Sequence, residues 1–447
     1  MKKTILTIAT LLSIALANAQ TNPAITSWLQ NTTVTARHYV SGNSTPISDA
    51  ALVNCQKVQY NTTDVYVTTT GLPSYVTGPF LDGNPSLATN QNAIFKYPLN
   101  PVKNTGTPVK TSGGNIGLFI NGVALFDYRD GVAWNNATIG LCGGPGNQPC
   151  PGGMGATQAW NRDAILAEKG GFDCAKAHPA MGNYHHHQNP SAFNLDLVVI
   201  SNICNLYNAD GLYAIDSTVH SPLIGFAYDG FPIYGAYGYQ NVNGTGGIVR
   251  MKSSYLLNSG ATRTLGPNVS TTYPLGYFRE DYNYTANANQ DYLDEHNGRF
   301  CITPEYPAGI YCYFATVDAN WNSAYPYVVG PTFYGTITAS KVTSIPNGTI
   351  TYTPSTTSIA NTNISTQINV FPNPTSDLLI IQLIDINKEN LKVELFDING
   401  ILVETTNLFQ GSTIAYFDTK ALYSGQYFVK ISNGNTVTTK RVIVTKN

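Results

Sequence analysis

"GFDCAKAHPAMGNYHHH" (Gly171–His187) lies without gaps over "GRFCITPEYPAGIYCYF" (Gly298–Phe314). Gly171 meets Gly298, Cys174 meets Cys301, Gly182 meets Gly309 and Tyr184 meets Tyr311. Each copy also carries a Pro-Ala pair just before its Gly-x-Tyr, shifted by one residue. A weaker echo joins "IGLFINGVALFD", from Ile116, to "IGFAYDGFPIYG", from Ile224. In these two stretches Asn121-Gly122 and Asp229-Gly230 stand between apolar alternations. Both dipeptides accept positive φ at the two central positions of a tight turn, which makes them strong hairpin signals. The expected fold is therefore mostly all-β, a large β-rich domain built on a duplicated unit. The competing reading is chance recurrence of turn chemistry in a Gly- and Tyr-rich chain.

Duplication gives the histidine triplet a context. The first copy holds His185, His186 and His187 where the second holds Cys312, Tyr313 and Phe314. Side chains alternate faces along a strand, so His185 and His187 point one way and Tyr184 and His186 the other. Imidazoles at i and i+2 stand about 6 to 7 Å apart along the strand, close enough to converge on one ion. Imidazole suits copper, zinc, iron and nickel, and a catalytic zinc wants three protein ligands. His178 and His220 are the candidates to complete the set, with Asp229 and His296 behind them. Carboxylate-poor, His- and Tyr-rich surroundings of the triplet in an exported chain favour copper over calcium or magnesium, and among transition ions copper is preferred to zinc. Against this stand a solvated, inert loop triplet and a metal-free acid–base histidine.

Composition narrows the remaining classes. Of 447 residues only 11% are charged, while Gly numbers 40 and Tyr 29. That mixture suits short strands and turns rather than long helices. A formal charge of −2 leaves no electrostatic footprint for nucleic acid. "GGPGNQPCPGG" lacks the Lys-Ser/Thr of a phosphate loop, and His220-Ser221 has no Gly-x-Ser-x-Gly elbow. One short helix is expected within "TQAWNRDAILAEKGG", stopped by Gly170 and Gly171.

The ends of the chain speak to its route. Lys2 and Lys3, an apolar run from Ile5 to Leu16, and Ala17-Asn18-Ala19 read as a signal peptide over residues 1–19. No later stretch approaches the roughly 18 apolar residues of a membrane span. Export makes disulfides expected among the seven cysteines: Cys142 with Cys150, Cys301 with Cys312, and Cys174 with Cys204 are candidate pairs. An odd number leaves one thiol over, and Cys312 is one candidate for it. Residues 20–341 form the β-rich domain and the Thr/Ser/Asn-rich stretch 342–367 reads as a linker. Residues 368–447 alternate apolar and polar between regular turns, the pattern of a small Ig-like β-sandwich.

Two resemblances follow. "GNYHHHQNP", "HSPLIGFAYDGFPIYG" and "LDEHNGRFCITPEYPAGIYCYF", in that order, resemble the YHYH domain family over roughly residues 110–335. The family's Tyr-His-Tyr-His becomes Tyr184-His185-His186-His187, which keeps the two same-face histidines, and Cys312 stands where the family often has histidine. The resemblance implies fold and export and names no reaction. "VFPNPTSDLLIIQL", "VELFDINGILV", "LYSGQYFVKI" and "TTKRVIVTKN" resemble the type A sorting domain of Bacteroidetes type IX secretion. That resemblance implies a receptor-read address, delivery by the type IX machinery, and a final place outside the cell or on its surface. The leading functional expectation is transition-metal binding by His185 and His187. The alternative is a non-catalytic surface module that binds glycan or protein through Tyr-rich loops.

Overall fold

The structure is a computed structural model and describes residues 22–80, 86–144, 146–153, 158–191, 211–213, 215–354, 368–383, 390–398, 400–409, 412–432 and 437–446. The expected signal peptide and Cys204 lie outside these residues. The chain divides into two compact units, Met1–Thr353 and Pro354–Asn447, and both are β-built.

An eight-stranded sheet organises the first unit. Its strands are Asn115–Phe119 (β1), Ala124–Phe126 (β2), His178–Ala180 (β3), Asn183–His186 (β4), Leu223–Ala227 (β5), Pro232–Tyr234 (β6), Gly298–Cys301 (β7) and Ile310–Phe314 (β8). They lie in the order β3-β4-β2-β1-β5-β6-β8-β7. The order is its own mirror: two four-stranded halves meet where β1 and β5 pair antiparallel. Registers repeat as well. Within the first hairpin Asn115 pairs Phe126, Gly117 pairs Leu125 and Leu118 pairs Ala124, with an irregularity after Asn115. Within the second, Leu223 pairs Tyr234, Gly225 pairs Ile233 and Phe226 pairs Pro232, with the irregularity at the same step. The parallel joins match too, His186 on Leu125 in one half and Tyr313 on Ile233 in the other. The sequence repeat and its weaker echo are thus the two halves of one pseudo-symmetric sheet.

Only the outermost strands break the repeat. In the first half Met181 and Gly182, both at positive φ, close a two-residue turn between β3 and β4. In the second half the outer strand is Gly298–Cys301, separated from β8 by the longer loop 302–309. His178 therefore comes directly opposite His185, whereas its sequence counterpart Glu305 sits in that loop.

Both sheet faces are covered. On one, Leu118, Phe226 and Phe314 pack with Val58, Val67 and Phe95 of a five-stranded sheet and with Trp28. On the other, Leu125, Ile233 and Tyr313 pack with Tyr325, Tyr327 and Phe333. The five-stranded sheet runs Ser340–Val342, Ala93–Pro98, Asp64–Thr69, Cys55–Tyr60, Ile350–Tyr352. Its last strand corrects the expected linker at 342–367. Ile350, Thr351 and Tyr352 pair with Tyr60, Gln59 and Val58, so this part of the Thr-rich stretch adds an edge strand. The rest of that stretch, 355–367, lies outside the described residues.

The expected short helix occupies Ala164–Glu168, capped by the Asp163 side chain on the Leu166 N–H. A single 3₁₀ turn, Lys169–Gly171, then ends it at the two glycines. Cys142 and Cys150 are bonded, as their turn-rich spacing suggests. Cys174 is also disulfide-bonded, while Cys55, Cys301 and Cys312 are free and buried. The expected Cys301–Cys312 bridge is thus a pair of thiols. Among its described residues the second unit shows seven strands, in a three-stranded and a four-stranded sheet around a core that includes Leu379, Val393, Phe417 and Val429.

Candidate metal centre

Three imidazoles converge at the β3–β4 edge of the central sheet. His178, His185 and His187 are buried, and their ligand nitrogens lie within 4.8 Å of one another. The tight turn brings His178 across from His185, and strand alternation puts His187 on the same side. His185 and His187 present their Nε2 atoms to each other at 3.1 Å.

Their tautomers are set from behind. The Nδ1 of His185 donates to the Asn183 carbonyl at 2.8 Å, and that of His187 donates to the Asp127 carbonyl at 2.6 Å. In the neutral form of each ring the Nε2 lone pair then points into the cluster, the arrangement in which a backbone acceptor orients a metal-ligating imidazole. Two lone pairs facing at contact distance repel unless a cation sits among them. Burial, then the neighbouring His187 and His178, push His185 well below the usual imidazole range, so it stays neutral. Phe126 stacks on His185 at 3.8 Å, and Phe172 meets His178 edge-on at 4.9 Å, so ring walls dry the site.

The sequence reading missed the fourth group, Glu168. Its Oε2 lies 3.1 Å from His178 Nε2 and 3.2 Å from His187 Nε2. That oxygen is buried and accepts no well-directed hydrogen bond, although the carboxylate as a whole is about a quarter exposed. Burial opposes its ionisation, yet hydrogen bonding and charge attraction from His178 and His187 outweigh burial and hold the carboxyl far below its usual range. Three imidazoles and one carboxylate make a donor set suited to a divalent transition ion. The available signal was slight: a lone Glu in the last turn of the expected helix, just ahead of Gly170-Gly171 and the first repeat.

The other candidates stand elsewhere. His220 is not in the cluster; it packs against Tyr234, Tyr239 and Phe314, and its Nδ1 donates to the Ser221 carbonyl at 2.7 Å. Its position beside the β6–β8 half follows from the sheet order, which sequence distance does not show. His186 faces away from the cluster. Its Nδ1 donates to the Lys176 carbonyl at 3.2 Å and its Nε2 accepts from the Tyr75 hydroxyl at 2.9 Å, while burial pushes it down to about 3. Asp229 accepts from the Tyr313 hydroxyl and the Gly335 N–H, and His296 is engaged by Thr332. The tyrosines expected to form a binding platform are largely interior: Tyr97, Tyr128, Tyr184, Tyr234 and Tyr313 are among the largest fully buried side chains.

Comparison with known proteins agrees with the architecture. The secretion system C-terminal sorting domain model matches residues 369–445, which coincides with the sandwich unit. That tail directs the protein through type IX secretion to the cell surface or beyond, and no helix among the described residues is long and apolar enough to cross a membrane. No curated protein matches the chain. The YHYH protein model matches residues 94–326, just over half of the chain. That span contains the whole pseudo-symmetric sheet and all four converging groups, and with it the chain belongs to the YHYH protein family.

Proposed function

We propose that the first unit binds one transition-metal ion through His178, His185, His187 and Glu168, in a protein delivered to the outside of the cell. One observation carries the reading: buried imidazole nitrogens within 4.8 Å of one another, with two Nε2 lone pairs turned inward by backbone acceptors. A nitrogen-rich donor set of this kind favours copper over zinc at equal availability, following the general order of divalent affinities. Bound there, the ion would supply Lewis-acid chemistry and, if copper, one-electron chemistry. The protein's own residues orient the imidazoles, exclude water with Phe126 and Phe172, and leave Glu168 as the donor residue whose side chain is most exposed. An external ligand would therefore exchange at the Glu168 side.

Elemental analysis of the purified mature chain, loaded with copper or zinc and desalted, should find one ion per chain. His185→Ala/His187→Ala should abolish retention, and Glu168→Gln should weaken it. His220→Ala should retain metal as wild type does. A wild-type chain without stoichiometric metal after loading would overturn the assignment.

A further inference from the structure

The pseudo-two-fold sheet generates a second location equivalent to the histidine cluster, and a different chemistry occupies it. Register places Cys312 where the first half has His185, and Phe314 where it has His187. Tyr234 replaces Phe126, and its hydroxyl donates to Glu305 at 2.8 Å. Beside Cys312 lies Cys301 on β7, Sγ to Sγ 3.3 Å, both thiols fully buried. Arg299 stands two residues earlier on the same face of β7, and its Nε is buried without an oxygen acceptor.

The sulfur separation decides between two uses of such a pair. Two thiolates on one tetrahedral zinc, each at about 2.3 Å, would stand about 3.8 Å apart. The observed 3.3 Å is shorter than that. It leaves no room for an ion between the sulfurs and brings them to the verge of bonding. We propose that Cys301 and Cys312 are a redox-active dithiol, oxidised reversibly to a disulfide by an external disulfide.

The roles are unequal. Cys301 is the attacking thiol: hydrogen bonding from Cys312 overcomes burial, and with the Arg299 guanidinium it brings Cys301 down to about 7. Burial and the neighbouring Cys301 push Cys312 up, so it keeps its proton until it resolves the intermediate. The Cys301 thiolate attacks one sulfur of the disulfide and expels one thiolate. Cys312 then attacks the Cys301 sulfur of the mixed disulfide, expels the second thiolate and loses its proton to solvent. Two protein thiols are oxidised and one external disulfide is reduced to two thiols. Reaching Cys301 requires only the outermost strand, β7, to peel back. Closure ties together the two ends of loop 302–309, which carries Glu305.

The test uses oxidised and reduced glutathione on the mature full-length chain. After equilibration at a series of ratios, the protein is acid-quenched, denatured and alkylated, and its peptides are mapped by mass spectrometry. The proposal expects Cys301 and Cys312 to pass together from alkylated to cross-linked as the ratio becomes oxidising, and to return on reversal, while Cys55 stays alkylatable throughout. Cys312→Ser should trap glutathione on Cys301, and Cys301→Ser should leave Cys312 unmodified. Thiols still alkylatable at every ratio, or a bond closed at every ratio, would each overturn the proposal. The wild-type map decides even if a variant misfolds.

Discussion

Asp229 shows how one side chain can be read from its counterpart. It is fully buried, accepts from Tyr313 and Gly335, and burial pushes it up to about 6 against those hydrogen bonds. The matching position in the first half is Asn121, which carries no charge to desolvate. A carboxyl raised from 3.8 to about 6 on folding binds its proton more tightly in the native state. Its contribution is therefore most favourable below pH 3.8 and is lost as pH rises through 6. At neutral pH the cost is about 3 kcal/mol. Asp229→Asn, a residue the fold already accepts at the equivalent place, should gain stability over wild type at pH 7 and lose that advantage toward pH 4. Urea denaturation at the two pH values checks this; parallel pH dependences for the two proteins would refute it. Residue-scale reading of the histidines depended on similar simplicity. Strand alternation separates His185 and His187 from His186 without any knowledge of the fold, whereas Glu168 comes from a helix whose placement against the sheet is a tertiary fact.

Among the elements, the join between the halves is a close approach of two backbones. A Cβ added at Gly117 would lie 2.9 Å from the Phe226 carbonyl oxygen, and one at Gly225 would lie 2.7 Å from that of Leu118. The two glycines are equivalent under the pseudo-two-fold, and both are needed for β1 and β5 to pair. Neither neighbour is a flexible side-chain end, so the backbones must separate to admit a methyl group. Gly225→Ala should cost about 2 kcal/mol or more, seen as a lowered unfolding midpoint, and Gly117→Ala should behave alike. Gly170→Ala, with nothing within 4 Å of its added Cβ, is the control. Equal midpoints for Gly225→Ala and Gly170→Ala would remove the join from the account. The Ile-Gly pairs that open both echoes record this constraint in the sequence. Turn chemistry made the two inner hairpins legible because Asn-Gly and Asp-Gly act locally. The outer strands were not legible, because identical alignment conceals a two-residue turn in one copy and a longer loop in the other. The strand at Ile350–Tyr352 was hidden for a related reason: Thr- and Asn-rich composition resembles a linker until a strand such as Cys55–Tyr60 is there to pair with.

For the whole molecule, hydrophobic clusters that each draw on residues of a single unit imply two separable folding units. The first unit closes its five-stranded sheet with Ile350–Tyr352, and the sandwich core draws only on residues from Ile368 onward. The boundary for a truncation is therefore Thr353, past the point where a linker beginning at 342 would place it. Cutting at 341 would remove the strand that covers the Cys55–Tyr60 edge and expose its unpaired backbone groups. A chain ending at Thr353 should fold, behave as the full chain does in the metal-loading test and accumulate in the periplasm, because its address is gone while the sheet edge and the helix that carry the candidate site remain. A chain ending at 341 should be trapped there as well but unfold at a lower temperature. Fractionation of cells expressing each form, with thermal unfolding of the purified proteins, separates transport from stability. Release of the Thr353 form to the outside at the level of the full chain would show that the sandwich is not the address. Equal unfolding midpoints for the two truncations would show that the final strand adds nothing to the first unit.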